Sequence, residues 1–304
     1  MAKKVSLLVV VLVALVPSLP AQARIKRDVP FRTVGGKALL LDIHYPSGEG
    51  PHPVAVVIHG GGWRRGSRRS MSTRGIAKAM NRLGAAAVCI SYRLVPKATH
   101  PAQIEDCRYA VQWVRAHAAE LQLDSKRLAA IGTSAGGHLA GLLGAQRDFA
   151  NPKAEDPVQR QSSRPDFVVS FFGPMNLAGD PAESKTLAGR LVMALLEIKD
   201  PHAADTQKKA RAASPRWQLT DGAPPYLFIH GTSDRLVPLV HSNDMAKALS
   251  KRGISTLVLP VRGGGHGGFI FRLFSQESDE PPAYWKPACQ FMKKHWLAVE
   301  KKTG

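Results

Sequence analysis

Leu128-Ala129-Ala130-Ile131-Gly132-Thr133-Ser134-Ala135-Gly136-Gly137-His138-Leu139-Ala140 runs from an apolar strand pattern, through G-x-S-x-G, into residues suited to a helix. A serine on a sharp strand-to-helix turn must adopt a strained backbone. Glycines two positions before and after it remove the Cβ atoms that would collide there. The hydroxyl then stands clear at the carboxyl edge of a sheet, and the Ala135 amide, at a helix start, faces any oxyanion forming beside it. Alone, the pattern also arises by chance and also suits a phosphate-binding turn. The strand before it and the helix after it favour Ser134 as a nucleophile.

Outward from this segment, runs rich in Val and Ile alternate with longer amphipathic stretches, as in a mostly parallel sheet covered by helices on both faces. Strands are predicted over 38–45, 54–59, 85–92, 127–132, 167–172, 226–230 and 256–261, and helices over 70–83, 101–121, 135–146, 241–251 and 283–296. The fold class expected is therefore α/β. The rhythm breaks between Leu177 and Pro224, where a helical run over 184–199 places Leu187, Leu191 and Leu195 on one face. An insertion over about 178–223 is expected, either as a substrate-facing lid or as an ordinary packed helix.

The strand over 54–59 ends in His59-Gly60-Gly61-Gly62-Trp63. Three successive glycines let bare backbone approach a ligand, so amides of Gly61 or Gly62 are candidates, with Ala135, for an oxyanion hole. The rival, a dinucleotide loop, requires a third glycine where Arg65 stands. His59 reads as a brace for this loop and not as a catalytic group.

A serine hydroxyl needs a base to take its proton and an acid to orient that base. Asp234, in Gly231-Thr232-Ser233-Asp234, follows the predicted strand 226–230. His266, in Gly263-Gly264-Gly265-His266-Gly267-Gly268, follows the strand 256–261. Of 11 histidines, His266 has the best context; His138, His230 and His241 fall where packing or capping roles suffice. A surface loop remains the alternative for His266, and a helix cap or ion pair for Asp234.

The 304 residues, 44% hydrophobic and 21% charged, can bury a sizeable core, which excludes disorder, collagen and coiled coil. Three cysteines and no C-x-x-C or Cys/His cluster exclude a disulfide scaffold and a zinc site, and buried thiols are expected at Cys89, Cys107 and Cys289. Lys3 and Lys4 precede a 12-residue apolar run from Val5 to Val16, followed by Ala21-Gln22-Ala23. Residues 1–23 are expected to be an export signal cleaved near Ala23, because the run is too short for a span of about 20 residues. An uncleaved anchor is the alternative. Residues 24–304 are then one domain, secreted or periplasmic, with no transmembrane span. Loss of Lys3 and Lys4 takes the net charge from +19 to +17. The positives are scattered in groups such as Arg64, Arg65, Arg68 and Arg69, without interleaved aromatics. That pattern favours a solvated surface or attraction to anionic glycans over specific nucleic-acid binding.

Together these segments resemble the α/β-hydrolase family, in its hormone-sensitive-lipase-like and acetyl-xylan or feruloyl esterase-like branches. The resemblance spans about 39–296 and includes H-G-G-G-W, G-T-S-A-G-G, G-T-S-D and the late G-H-G. Ser91-Tyr92-Arg93-Leu94 and Pro101-Ala102-Gln103-Ile104-Glu105-Asp106-Cys107 share it. It implies Ser134, Asp234 and His266 as a triad, Gly61, Gly62 and Ala135 as oxyanion donors, no metal or organic cofactor, and hydrolysis of carboxylic esters. By the same resemblance, the partner is a small-molecule or polysaccharide ester, with an acetyl or other short acyl group on carbohydrate. Where that branch often continues Y-R-L as A-P-E, this chain has Val95-Pro96-Lys97, which puts surface ion pairs in question but not the triad. An amidase or peptidase using the same triad, and a non-catalytic binding module, are the alternatives. Oligomeric state is unreadable from the sequence.

Overall fold

The structure is a computed structural model and describes residues 24–179, 185–273 and 281–297. The expected export signal lies outside the described residues. Among the described residues no helix is long and apolar enough to cross a membrane.

Eight strands form one sheet in the order β1-β2-β4-β3-β5-β6-β7-β8. They are β1 (Ile25–Val34), β2 (Lys37–His44), β3 (His52–Ile58), β4 (Ala86–Ile90), β5 (Leu123–Thr133), β6 (Phe167–Phe171), β7 (Tyr226–Gly231) and β8 (Thr256–Val261). β2 pairs antiparallel with β1 and β4, whereas β4, β3, β5, β6, β7 and β8 are joined by parallel ladders. The central β3 and β4 are apolar on both faces because helices cover both sides of the sheet. Ile76 and Met80 of α1 (Met71–Arg82) pack with Phe291 and Met292 of α7 (Trp285–Leu297) in one apolar cluster. The other cluster holds Ile104 and Val111 of α2 (Ala102–Ala116), Leu139 of α3 (Ala135–Ala145), and Met245 and Leu249 of α6 (Val240–Ser250).

β1 has no counterpart in the sequence reading. Of its ten residues only Phe31 is buried, Pro30 interrupts it, and its register with β2 shifts twice. An edge strand of this kind lacks the apolar alternation that marks a strand in sequence, and an edge is where proline is tolerated. The insertion contains α4 (Leu187–Leu196) and a short α5 (Thr206–Ala212), the latter also unanticipated. Thr186 caps α4 by accepting a hydrogen bond from the Gly189 amide at 3.0 Å, and Glu197 ends it in the left-handed region.

Two of the four clustered arginines are not simple solvated charge. Arg68 and Arg69 place their Nε atoms 2.9 and 2.7 Å from the buried carboxylate of Asp42 and also pair with Asp28. These pairs hold the segment that follows the H-G-G-G turn against β1 and β2. Lys97 stands where an acid was expected by resemblance, and Arg93 takes its partners from α2, with Asp106 at 2.8 Å and Glu105 at 3.2 Å. The three cysteines are free thiols, Cys89 and Cys107 buried and Cys289 half-buried.

Candidate active site

Ser134 sits between β5 and α3 at φ 52°, ψ −119°, a region that costs an L-residue on the order of 1–3 kcal/mol and persists only where neighbours enforce it. Two backbone bonds hold it: its amide donates to the Phe171 carbonyl at 2.9 Å, and its carbonyl accepts from the His138 amide at 2.9 Å. The turn brings Gly136 so close to β3 that a Cβ there would lie 2.1 Å from the Ile58 carbonyl oxygen, so no larger residue fits.

From this turn the side chains run in a continuous chain. His266 Nε2 is 2.9 Å from Ser134 Oγ, and His266 Nδ1 is 2.8 Å from Asp234 Oδ2. With Nδ1 donating to the carboxylate, Nε2 is left to accept the serine proton. The other carboxylate oxygen, Asp234 Oδ1, accepts from the amides of Leu236 and Val237, both at 2.9 Å. Burial alone would raise the Asp234 pKa. Hydrogen bonding from His230, His266 and the Val237 amide outweighs burial and holds the carboxyl well below the usual range, so it stays ionised opposite the imidazole. The two loops are tied together by backbone, since Ser233 donates to the Gly264 carbonyl at 2.9 Å and Thr232 to that of Val261 at 3.0 Å. The structure thus brings together the three residues expected as a triad.

The three expected oxyanion donors are not placed alike. Gly62 and Ala135 border the same cavity as Ser134, whereas Gly61 does not. Ala135 is the first residue of α3, where an amide has no intrahelical acceptor, and the helix start carries partial positive charge. Gly62, at φ 59°, faces the insertion: a Cβ there would come within 2.9 Å of Leu191 Cδ2. His59 braces this loop as expected. Its Nδ1–H donates to the Gly60 carbonyl at 2.8 Å, its ring stacks on Tyr92 at 4.1 Å, and burial pushes its pKa down to about 4.

The cavity holds about 490 Å³. Its wall includes Ser134, Leu187, Leu191 and Val192 of α4, and Val237, Pro238 and Val240. The apolar residues of α4 divide: Leu195 and Leu196 are buried in the core, while Leu187, Leu191 and Val192 line the cavity. Among the described residues no group of three or more His, Cys, Asp or Glu side chains is placed to hold a metal ion.

A family model described as BD-FAE matches residues 41–249, a span that includes Ser134 and Asp234 and ends before His266. The chain belongs to the BD-FAE family. Esterase LipC of Mycobacterium tuberculosis is 33% identical over 224 residues, 71% of this chain and 53% of LipC. The chain spans about half the length of the curated relatives it matches. Among solved structures, the acetyl ester-xyloside bifunctional hydrolase of Caldicellulosiruptor lactoaceticus superimposes with a TM-score of 0.74 at 24% identity, over 90% of this chain and 96% of that one. Est2 of Thermogutta terrifontis, in a propionate-bound structure, superimposes with a TM-score of 0.69 at 24% identity, over 91% and 94%. This BD-FAE member therefore has the α/β-hydrolase fold expected of it, a mostly parallel sheet between helical layers.

Three neighbours of the site have roles that the sequence did not assign. Phe172, at φ 41°, sets the edge of its ring against His266, with centroids 4.9 Å apart. His230 Nε2–H donates to the Val237 carbonyl at 2.7 Å while its Nδ1 accepts from the Ser242 hydroxyl at 2.7 Å, bracing the loop that carries Asp234. Trp63, buried, meets His138 edge-on. Each acts through contacts made across the sheet edge, which no local pattern encodes.

Proposed function

We propose that this protein is a serine carboxylesterase that works outside the cytoplasm on short acyl esters of carbohydrate, acetyl included. The observation that carries the reading is the unbroken hydrogen-bonded chain from Ser134 through His266 to Asp234, with contacts of 2.9 and 2.8 Å. Ser134 Oγ attacks the ester carbonyl as His266 Nε2 takes its proton, and Asp234 stabilises the imidazolium that forms. Amides of Ala135 and of the H-G-G-G turn, with Gly62 the better placed, hold the oxyanion in geometry built before substrate arrives. His266 then protonates the leaving alcohol. In the second half it activates a water that releases the carboxylic acid and restores Ser134.

Relatives named as esterases support the ester part of the reading, and the acetyl ester-xyloside hydrolase and a carbohydrate esterase from gut microbiota support the carbohydrate part. Est2, whose structures carry propionate and butyrate, supports acyl groups somewhat longer than acetyl as well. The apolar run after Lys3 and Lys4 supports export, and the net charge of +17 left once Lys3 and Lys4 are lost from the +19 of the full chain supports encounter with anionic polymers. The test is turnover of acetylated xylan, a feruloylated oligosaccharide, p-nitrophenyl esters and a peptide amide by wild type and Ser134→Ala. Ester turnover should fall at least about a thousandfold in the variant. Equal turnover by both proteins removes Ser134 from the mechanism, and faster cleavage of the peptide amide than of any ester makes the protein an amidase.

A further inference from the structure

The cavity beside Ser134 identifies which half of the ester it receives. In the acyl-enzyme mechanism proposed above, on which this inference rests, the bond between carbonyl carbon and alcohol oxygen breaks as the bond to Ser134 Oγ forms. The serine proton, held on His266 Nε2, passes to that departing oxygen. The alcohol must therefore leave beside His266. The cavity wall contains Ser134, Ala135 and Gly62, the groups around the carbonyl carbon and its oxyanion, and His266 is absent from it. The space consequently lies on the acyl side of the scissile bond.

Its size and chemistry then bear on the acyl group. A volume of about 490 Å³ lies within the range of sites for whole small molecules, and a single acetyl methyl would leave most of it unfilled. The wall is mostly apolar, with Leu187, Leu191 and Val192 from α4 and Val237 and Val240 from the segment after Asp234; Asn176, Gln207, Arg235 and His241 are among its polar residues. A hydroxylated sugar would face the apolar side chains with unpaired polar groups, whereas an alkyl chain would release water from both surfaces. Leu191 has the decisive position. It contacts the cavity and at the same time lies against Gly62, where only the missing Cβ leaves it room.

We propose that this cavity is an acyl-binding site selective for apolar acyl groups of roughly four to eight carbons, and that Leu191 of α4 sets that selectivity where the chain passes the oxyanion turn. The acyl group favoured by the enzyme is then longer than the acetyl that the resemblance suggests, while acetyl esters remain poorer substrates of the same site.

The experiment measures kcat/KM for p-nitrophenyl acetate, butanoate, hexanoate and octanoate with wild type and Leu191→Phe. It is paired with calorimetric titration of Ser134→Ala with the acetate, butanoate and hexanoate anions. Each methylene buried in the cavity is worth about fourfold, so hexanoate should exceed acetate on the order of a hundredfold. Leu191→Phe should cut that ratio at least about tenfold. Affinity of Ser134→Ala for the anions should rise about fourfold per methylene. Ser134-dependent turnover that is flat or greatest for acetate overturns the proposal, as does affinity independent of chain length. Turnover that survives Ser134→Ala sinks the acyl-enzyme reading instead; the anion titration still decides whether the cavity selects alkyl chains.

Discussion

Replacing Asp234 by asparagine should leave the fold intact and nearly abolish turnover, because the surroundings dictate which way the new amide points. Asp234 Oδ1 accepts two amide hydrogens, from Leu236 and Val237, each at 2.9 Å. Turning the asparagine so that its NH2 met those donors would leave buried hydrogens facing one another and lose two bonds, at about 1–3 kcal/mol each. The side-chain oxygen therefore stays there, and the NH2 occupies the position 2.8 Å from His266 Nδ1. An NH2 only donates, so Nδ1 has to accept and the imidazole proton moves to Nε2, 2.9 Å from Ser134 Oγ. The base is then blocked by its own hydrogen. The analogous change in the chymotrypsin-type triad costs ~10⁴ in kcat, about 5.4 kcal/mol of transition-state stabilisation, and we expect the same order here. KM should change little, since the cavity is untouched. The assay is steady-state hydrolysis of p-nitrophenyl butanoate by wild type and Asp234→Asn, with circular dichroism confirming equal folding at the assay temperature. A folded variant retaining a tenth or more of wild-type kcat would show that His266 does not depend on Asp234 for its tautomer, and the proton relay as drawn would be refuted.

Gly62→Ala adds a Cβ against Leu191 and places an L-residue at φ 59°, which should cost about 1–2 kcal/mol of stability and lower kcat/KM at least about tenfold as the oxyanion turn shifts. Urea unfolding together with ester kinetics checks it, and no change in either would detach the turn from catalysis. Acid sensitivity follows from four imidazoles that burial holds neutral: His59, His100 and His241 near about 4 and His138 near about 3. The unfolded chain binds protons that the folded one refuses below pH ~6.5, so their contribution to stability is complete above that value and is lost as pH falls toward 4. At pH 5 His138 alone accounts for about 2 kcal/mol. Calorimetric unfolding at pH 5.5 in buffers of differing ionisation enthalpy should register uptake of about 3.5 protons from these four side chains; uptake below one would mean these side chains titrate freely in the folded state.

Much of the fold is legible in the chain because burial on both faces of a parallel sheet writes long apolar runs into it. Val54-Ala55-Val56-Val57-Ile58 lies inside β3, and Tyr226 to His230 lies inside β7. Backbone strain is legible too: the tight approach of Gly136 to Ile58 can be made only by glycine, so the glycines around Ser134 announce the turn. β1 escaped notice because an edge strand needs few apolar residues, and α5 because seven residues are too few to show a helical period.

By itself, then, the sequence determined seven of the eight strands and the glycine turns, and hence that Ser134, Asp234 and His266 emerge at the carboxyl ends of β5, β7 and β8 in one sheet. Those are local requirements of sterics and solvation, each met within a dozen residues. Only the tertiary structure decided the distances among the three, the tautomer that two amides on Asp234 favour, and the pairing of Arg68 and Arg69 with the buried Asp42. It also decided that α4 lays Leu191 beside Gly62 and leaves an apolar cavity open to Ser134. These properties depend on contacts between residues far apart in the chain, and a side chain's identity does not reveal what it will face across the folded interior.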